Sequence, residues 1–184
     1  MKVTNKQKRH QIQKSKKAQR RANKKSERTK KLNGVKMSLM LTGKDGHVST
    51  IREYLGTIEK DITYISNTVQ PAIDLMDMIC GNDALIAWAE ENREFVTLMQ
   101  DQISLVCDVI ETLRETRDTY SEELKVFEDT EYKLKDDMVS AAYGIILNIS
   151  AAVDTARETY EDIGEELSKN VLRIKPMIEP LIGA

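Results

Sequence analysis

Lys14, Lys16, Lys17, Arg20, Arg21, Lys24, Lys25, Arg28, Lys30 and Lys31 put ten cations into eighteen consecutive residues. Ammonium and guanidinium groups at that density suit one ligand chemistry above others, the phosphates of a nucleic acid. Each phosphate they neutralise releases condensed counterions, which drives binding. The segment holds no Phe, Tyr or Trp, so stacking on single-stranded bases is not its mode. Phosphate contacts carry no base information, so the expected binding, to DNA or RNA, is without sequence preference. An acidic protein surface is the alternative partner. Membrane anchoring is the weaker case, because no large apolar wedge accompanies the charges.

Other chemistries lack their residues. There is no Gly-rich phosphate loop ending in Lys-Ser/Thr, no Gly-x-Ser-x-Gly and no CxxC pair. The only histidines are His10, in the basic segment, and His47, which reads as a solvated turn residue. With no histidine inside the helical body, a di-iron site of the Glu-x-x-His type cannot be built. Glu158, Glu161, Asp162 and Glu165 share one helical face and read as a solvated surface. Cys80 and Cys107 are too few for a disulfide framework and are expected to be partly buried free thiols. The chain is therefore expected to be no enzyme and to use no metal or cofactor.

Charge divides the 184-residue chain in two. Residues 1–36 carry 15 Lys and Arg against a single acid, Glu27, which makes them +14. The whole chain is −2, so the remainder is −16. Such asymmetry suggests a basic arm on a separate body. The arm has too little apolar surface to offset chain entropy and is expected to be disordered in isolation. Its Lys and Arg are good helix formers, but like charges at i,i+4, such as Lys16–Arg20 and Arg20–Lys24, oppose a helix until phosphates neutralise them.

The body is patterned for helices. Aromatics make up only 5% of the chain and charged residues 32%. From Leu85 to Phe127 apolar residues recur at alternating steps of four and three, broken only by Asn92 and Arg117. That spacing keeps one stripe on one face, a coiled-coil-like seam. Its centre is Asn92, Val96, Met99, Ile103, Val106, Ile110 and Leu113, which are the candidate oligomer contacts. Asn92 is a candidate register-setting polar residue, and Arg117 is expected to face water. An unbroken helix from Asp83 would be ~67 Å long.

A second seam runs Ile51, Leu55, Ile58, Ile62, Ile65, Val69, and a third runs Val139, Ala142, Ile146, Ile149, Val153, Ala156, Tyr160, Ile163, Leu167. Thr50 with Glu53 reads as a capping box. Pro71 is expected to end the first of these helices. Gly81 is expected to stop the next segment with positive φ, and Asn82 or Asp83 to cap the long helix. The four-three phase is lost at Glu128–Glu131, so segments 83–127 and 132–170 are expected to form an antiparallel hairpin, with a bent continuous helix as the alternative. Pro176 and Pro180 are expected to end the helical body, leaving an apolar tail that folds back on the core or docks into a partner.

The pattern predicts an all-α protein: a long antiparallel helical hairpin or bundle with coiled-coil-like seams, preceded by a disordered basic arm. Its expected divisions are an arm at 1–36, a linker at 37–49, a bundle at 50–175 and a tail at 176–184. No 18-residue run is wholly apolar, so no membrane span is expected. The expected function is nucleic-acid binding by a homo-oligomeric assembly or packaging adaptor, of a cytoplasmic, nucleoid or viral-particle kind. The alternative is a structural scaffold whose arm binds an acidic protein.

Overall fold

The computed structural model describes residues 5–182, with side chains from Ser15 to Ile182 except Lys17. Among these residues there are five helices and no strand: α1 (Asn5–Leu41), α2 (Lys44–Cys80), α3 (Asp83–Glu91), α4 (Arg93–Asp129) and α5 (Lys135–Ile182). The all-α class and the antiparallel bundle are as the pattern predicts. α1, α2 and α4 are each 37 residues long, about 55 Å at 1.5 Å per residue.

The three apolar seams bury one another. Every predicted position of the α2 stripe, Ile51 to Val69, is buried. So are Val96, Met99, Val106, Ile110 and Leu113 of α4, with Ile103 half-buried. On α5 the buried set includes Val139, Ala142, Ile146, Ile149, Val153, Ala156, Tyr160 and Leu167. Polar contacts on the rims give the directions. Gln102 meets Asn170 and Phe95 meets Arg173, so α4 and α5 run antiparallel. Arg52 meets Glu128 and Glu59 meets Arg117, so α2 is antiparallel to α4. Asp61 meets Arg157 and Tyr64 meets Tyr160, so α2 is parallel to α5. Arg157 forks onto Asp61 with Nε and Nη2 both at 2.9 Å. Planar bidentate pairing of this kind adds directional specificity and pins the α2–α5 register.

Several punctuation marks act differently from expectation. The long helix is not unbroken from Asp83. It stops at Asn92, whose Nδ2 donates to the Trp88 carbonyl at 2.8 Å. Asn92 therefore separates α3 from α4 and does not set register within a seam. Asn82 does cap α3, its side chain accepting from Ala84 N and Leu85 N. Gly81 ends α2 at φ −91°, without a left-handed residue. Thr50 lies inside α2, where its hydroxyl donates to Gly46 O, so it caps nothing. The Thr-rich stretch around Thr116 stays helical, and Thr116 and Ser121 donate back to the i−4 carbonyls. Arg117 is half-buried and bridges to Glu59 on α2, so it does more than face water.

The prolines do not end their helices. Pro71 lies within α2, and Pro176 and Pro180 lie within α5. Each removes one N–H and strands the carbonyl four residues earlier. Asn67, Leu172 and Pro176, which own those carbonyls, are all exposed, so water can serve them. Ile174 and Ile178 on the opposite side are fully buried. Burial of two such side chains contributes ~1.5–3 kcal/mol each, enough to offset much of the ~3 kcal/mol that each proline costs. The tail is thus the last two turns of α5, on the core, and helix crosses the expected boundary at 175. The expected linker is likewise mostly helix: α1 runs to Leu41, and only Thr42-Gly43 separate it from α2.

His47 is buried, not solvated. It lies in the first turn of α2 with none of its surface exposed. Its Nε2 is 2.7 Å from the Leu39 carbonyl. A carbonyl only accepts, so Nε2 donates, and the bond strengthens a carbonyl at the end of α1 that otherwise accepts only long bonds from Thr42. The ring packs near Phe127, which in turn contacts Tyr132. Lys44 reaches across the same end of the bundle to the carbonyls of Glu128 and Thr130. In the sequence His47 follows the glycines Gly43 and Gly46, a turn signal that disguised a side chain tying three helix ends together. Cys80 and Cys107 are free, as expected, but exposed.

α5 also contains an 18-residue window of mean hydropathy 1.3 with at most two charges. By length and composition it is apolar enough to cross a membrane, although no 18-residue run within it is wholly apolar. A third of that window is buried here, against α2 and α4 of the same chain.

Core burial sets two expected outcomes. Leu113→Ala, at a fully buried position, should cost about 2–5 kcal/mol in urea unfolding, and Ile103→Ala, half-buried, clearly less. Gly56→Ala should raise the unfolding midpoint by the equivalent of roughly 0.5–1 kcal/mol, because a Cβ there meets nothing within 4 Å.

Candidate nucleic-acid interface

α1 carries the cations, and it is not a free arm. From Asn5 it is helical, so the disorder expected of the isolated segment is not its state in the folded chain. The reason is electrostatic. α1 lies antiparallel along α5, whose carboxylates stand where phosphates were expected to neutralise the helix. Arg21 Nη2 is 3.1 Å from Asp162 Oδ2. Lys24 Nζ is 2.6 and 2.8 Å from the two oxygens of Glu161. Arg28 Nε is 2.7 Å from Asp154 Oδ2, a charge contact whose N–H is not aimed at the oxygen.

Spacing explains the docking. Arg21, Lys24, Arg28, Leu32, Val35 and Leu39 share one face of α1. The first three meet the acidic stripe of α5, and the last three meet the core. Leu32 and Leu39 are buried and Val35 half-buried. Among the described side chains before Leu32, none is buried. The opposite face, Gln19, Asn23, Ser26, Lys30, Asn33 and Met37, is exposed and holds one cation. Among the described side chains the face of α1 opposite α5 therefore carries little charge, and the other cations point inward or to the flanks, where Lys16, Arg20 and Lys25 are exposed.

The ten candidate phosphate ligands separate accordingly. Arg21, Lys24 and Arg28 are paired with α5. Lys16, Arg20, Lys25 and Lys30 are exposed and pair with no described carboxylate. Lys31 Nζ lies 5.5 Å above the ring of Tyr54, a cation–π contact. The side chains of Lys14 and Lys17 fall outside those described. Lys36 repeats the motif of Lys31, 5.4 Å above Tyr143.

α1 is seated loosely. Grooves of about 690 and 890 Å³ run between it and the α2/α5 pair. The Tyr54 hydroxyl lies in the smaller one, buried and without a hydrogen-bond partner among the described residues. Burial raises its pKa above the usual tyrosine value, helped by Glu53, Asp154 and Tyr143. Two of the three ion pairs are exposed, with side-chain accessibilities of 44–58%, and the Arg28–Asp154 pair is half-buried at 32 and 34%. Exposed pairs contribute about 0–1 kcal/mol each and are screened by salt.

Sequence reasoning missed Asp154, Glu161 and Asp162 as partners of the cations. The signal was present: the acids of α5 recur at the same three-four spacing as the cations of α1, and the two halves of the chain carry opposite charge of similar size. The candidate oligomer contacts are placed elsewhere. Val96, Met99, Val106, Ile110 and Leu113 are covered by α2 and α5 of their own chain and do not face a second copy. No group of three or more potential metal ligands occurs among the described residues. Comparison with protein families, curated proteins and solved structures finds no match to the chain.

The loose seating of α1 sets an expected contrast. Replacing Arg21, Lys24 and Arg28 together by Ala should change unfolding free energy by less than about 3 kcal/mol. Leu39→Ala alone should cost about 2–5 kcal/mol, as read by chemical denaturation.

Proposed function

We propose that the protein is a non-enzymatic nucleic-acid-binding protein that uses the cations of α1 on phosphates and its helical body as an assembly or packaging module. One observation carries this reading. Fourteen cations sit on α1, which among its described side chains has only two buried apolar anchors, both near its C-terminal end, and partly exposed ion pairs elsewhere. A helix kept solely for packing would bury an apolar stripe along its length, as α2, α4 and α5 do. Here the charge is concentrated where packing is weakest. Lys16, Arg20, Lys25 and Lys30 are accessible from the outset. The acidic body repels phosphates, so affinity belongs to α1. A homo-oligomer would raise the number of basic helices presented together, and its contacts would lie outside the buried seams.

The scaffold reading, with α1 bound to an acidic protein, has its own support: the anions that α1 touches are protein carboxylates. Salt dependence on unrelated duplexes separates the two. With six to ten phosphates engaged, raising salt from 50 to 200 mM should weaken duplex binding by about 10³ to 10⁵. Neutralising Arg20, Arg21, Lys24 and Lys25 together should flatten the log–log salt slope by about three to four, equally for unrelated sequences. A chain without residues 1–36 that binds duplex as well as the full chain would transfer the reading to the scaffold class.

A further inference from the structure

We propose that the principal phosphate-binding face of α1 is the one now lying on α5, and that α5 holds it closed by occupying its cations with carboxylates. This rests on the nucleic-acid reading above and names its binding surface and its regulation. Polyanion would bind by peeling the N-terminal part of α1 off the body, with Leu32, Val35 and Leu39 as the fixed end of the hinge.

Four observations meet in this inference. Arg21, Lys24 and Arg28 recur at helical spacing on one face, and each is within 3.1 Å of an α5 carboxylate oxygen. Among the described side chains the accessible cations Lys16, Arg20, Lys25 and Lys30 are spread around the helix and only Lys30 lies on the face opposite α5, so no other face gathers three cations in a row as the α5-facing one does. Apolar anchoring begins only at Leu32, so nothing but polar and charged contacts among the described residues resists release before it. Grooves between α1 and the α2/α5 pair already admit solvent. The two exposed ion pairs, Arg21–Asp162 and Lys24–Glu161, weaken with salt and contribute little each, and the half-buried Arg28–Asp154 pair lies nearest the anchored end. A duplex presents one negative charge per ~1.7 Å of axis and gains counterion release with every contact, so it outcompetes carboxylates held one by one.

Because each latch pair must break before its cation reaches a phosphate, removing the carboxylates should tighten nucleic-acid binding. The test uses the full chain and a fluorescent random-sequence duplex at low salt. The variant is Asp154→Asn, Glu161→Gln, Asp162→Asn. Its control is Asp108→Asn, Glu115→Gln, Glu123→Gln, which changes net charge equally at exposed positions of α4. The latch variant should bind roughly threefold to 100-fold tighter than the parent, and clearly tighter than the control. If the triple variant loses its helical signal, the pair Glu161→Gln, Asp162→Asn against Glu115→Gln, Glu123→Gln makes the same comparison. Equal tightening by latch and control variants would mean that only net charge matters and would overturn the latch, as would no tightening at all. Both of those results leave the nucleic-acid reading standing if the parent binds. A parent and variant that both ignore the duplex at low salt would overturn the two together.

Discussion

A helix with one apolar stripe is stable in water only where that stripe is covered. α2, α4 and α5 each carry such a stripe at four-three spacing, and the short turn after α4 brings two of them side by side at once. The third closes the triangle. Everything else in the fold is subordinate to that mutual burial. It carries Pro71, Pro176 and Pro180 inside helices, because the prolines sit on exposed faces while Ile174 and Ile178 are held on the buried one. It also consumes the seam that could otherwise have paired two copies.

α1 obeys a different constraint. Its own composition opposes helix formation through like-charge repulsion, and its first turn lacks the acid that would suit the helix dipole. Carboxylates supplied by α5 remove the first objection. The result is a helix whose cations are neutralised by α5 along its length and whose C-terminal end is anchored in the core by Leu32, Val35 and Leu39. His47 and Lys44 reinforce that end, one on the last carbonyls of α1 and the other on those of α4. The molecule thus joins a rigid three-helix core to a charged helix whose attachment is strong at one end and salt-sensitive along the rest.

Local pattern alone determined much of this. The three stripes, residue by residue, were legible because burial follows the 3.5-residue spacing whatever the partner. The loss of phase at Glu128–Glu131 located the hairpin turn, and the Asn82 cap was readable because its geometry involves only the next three residues. The concentration of cations before Leu32 needed no structure to see. What only the tertiary structure decided depended on neighbours distant in the chain. Pro71 and Gly81 signal interruption locally, yet whether a proline breaks a helix turns on what the rest of that helix buries. His47 looked like a turn residue because the carbonyl and ring that enclose it come from α1 and α4. Asn92 fell on the seam by spacing, but its bond to the Trp88 carbonyl ends a helix there. The cations of α1 and the acids of α5 are more than 120 residues apart, and their pairing follows from the antiparallel packing of two helices. Periodicity reports which face of a helix seeks cover; only the assembled fold determines which surface supplies it.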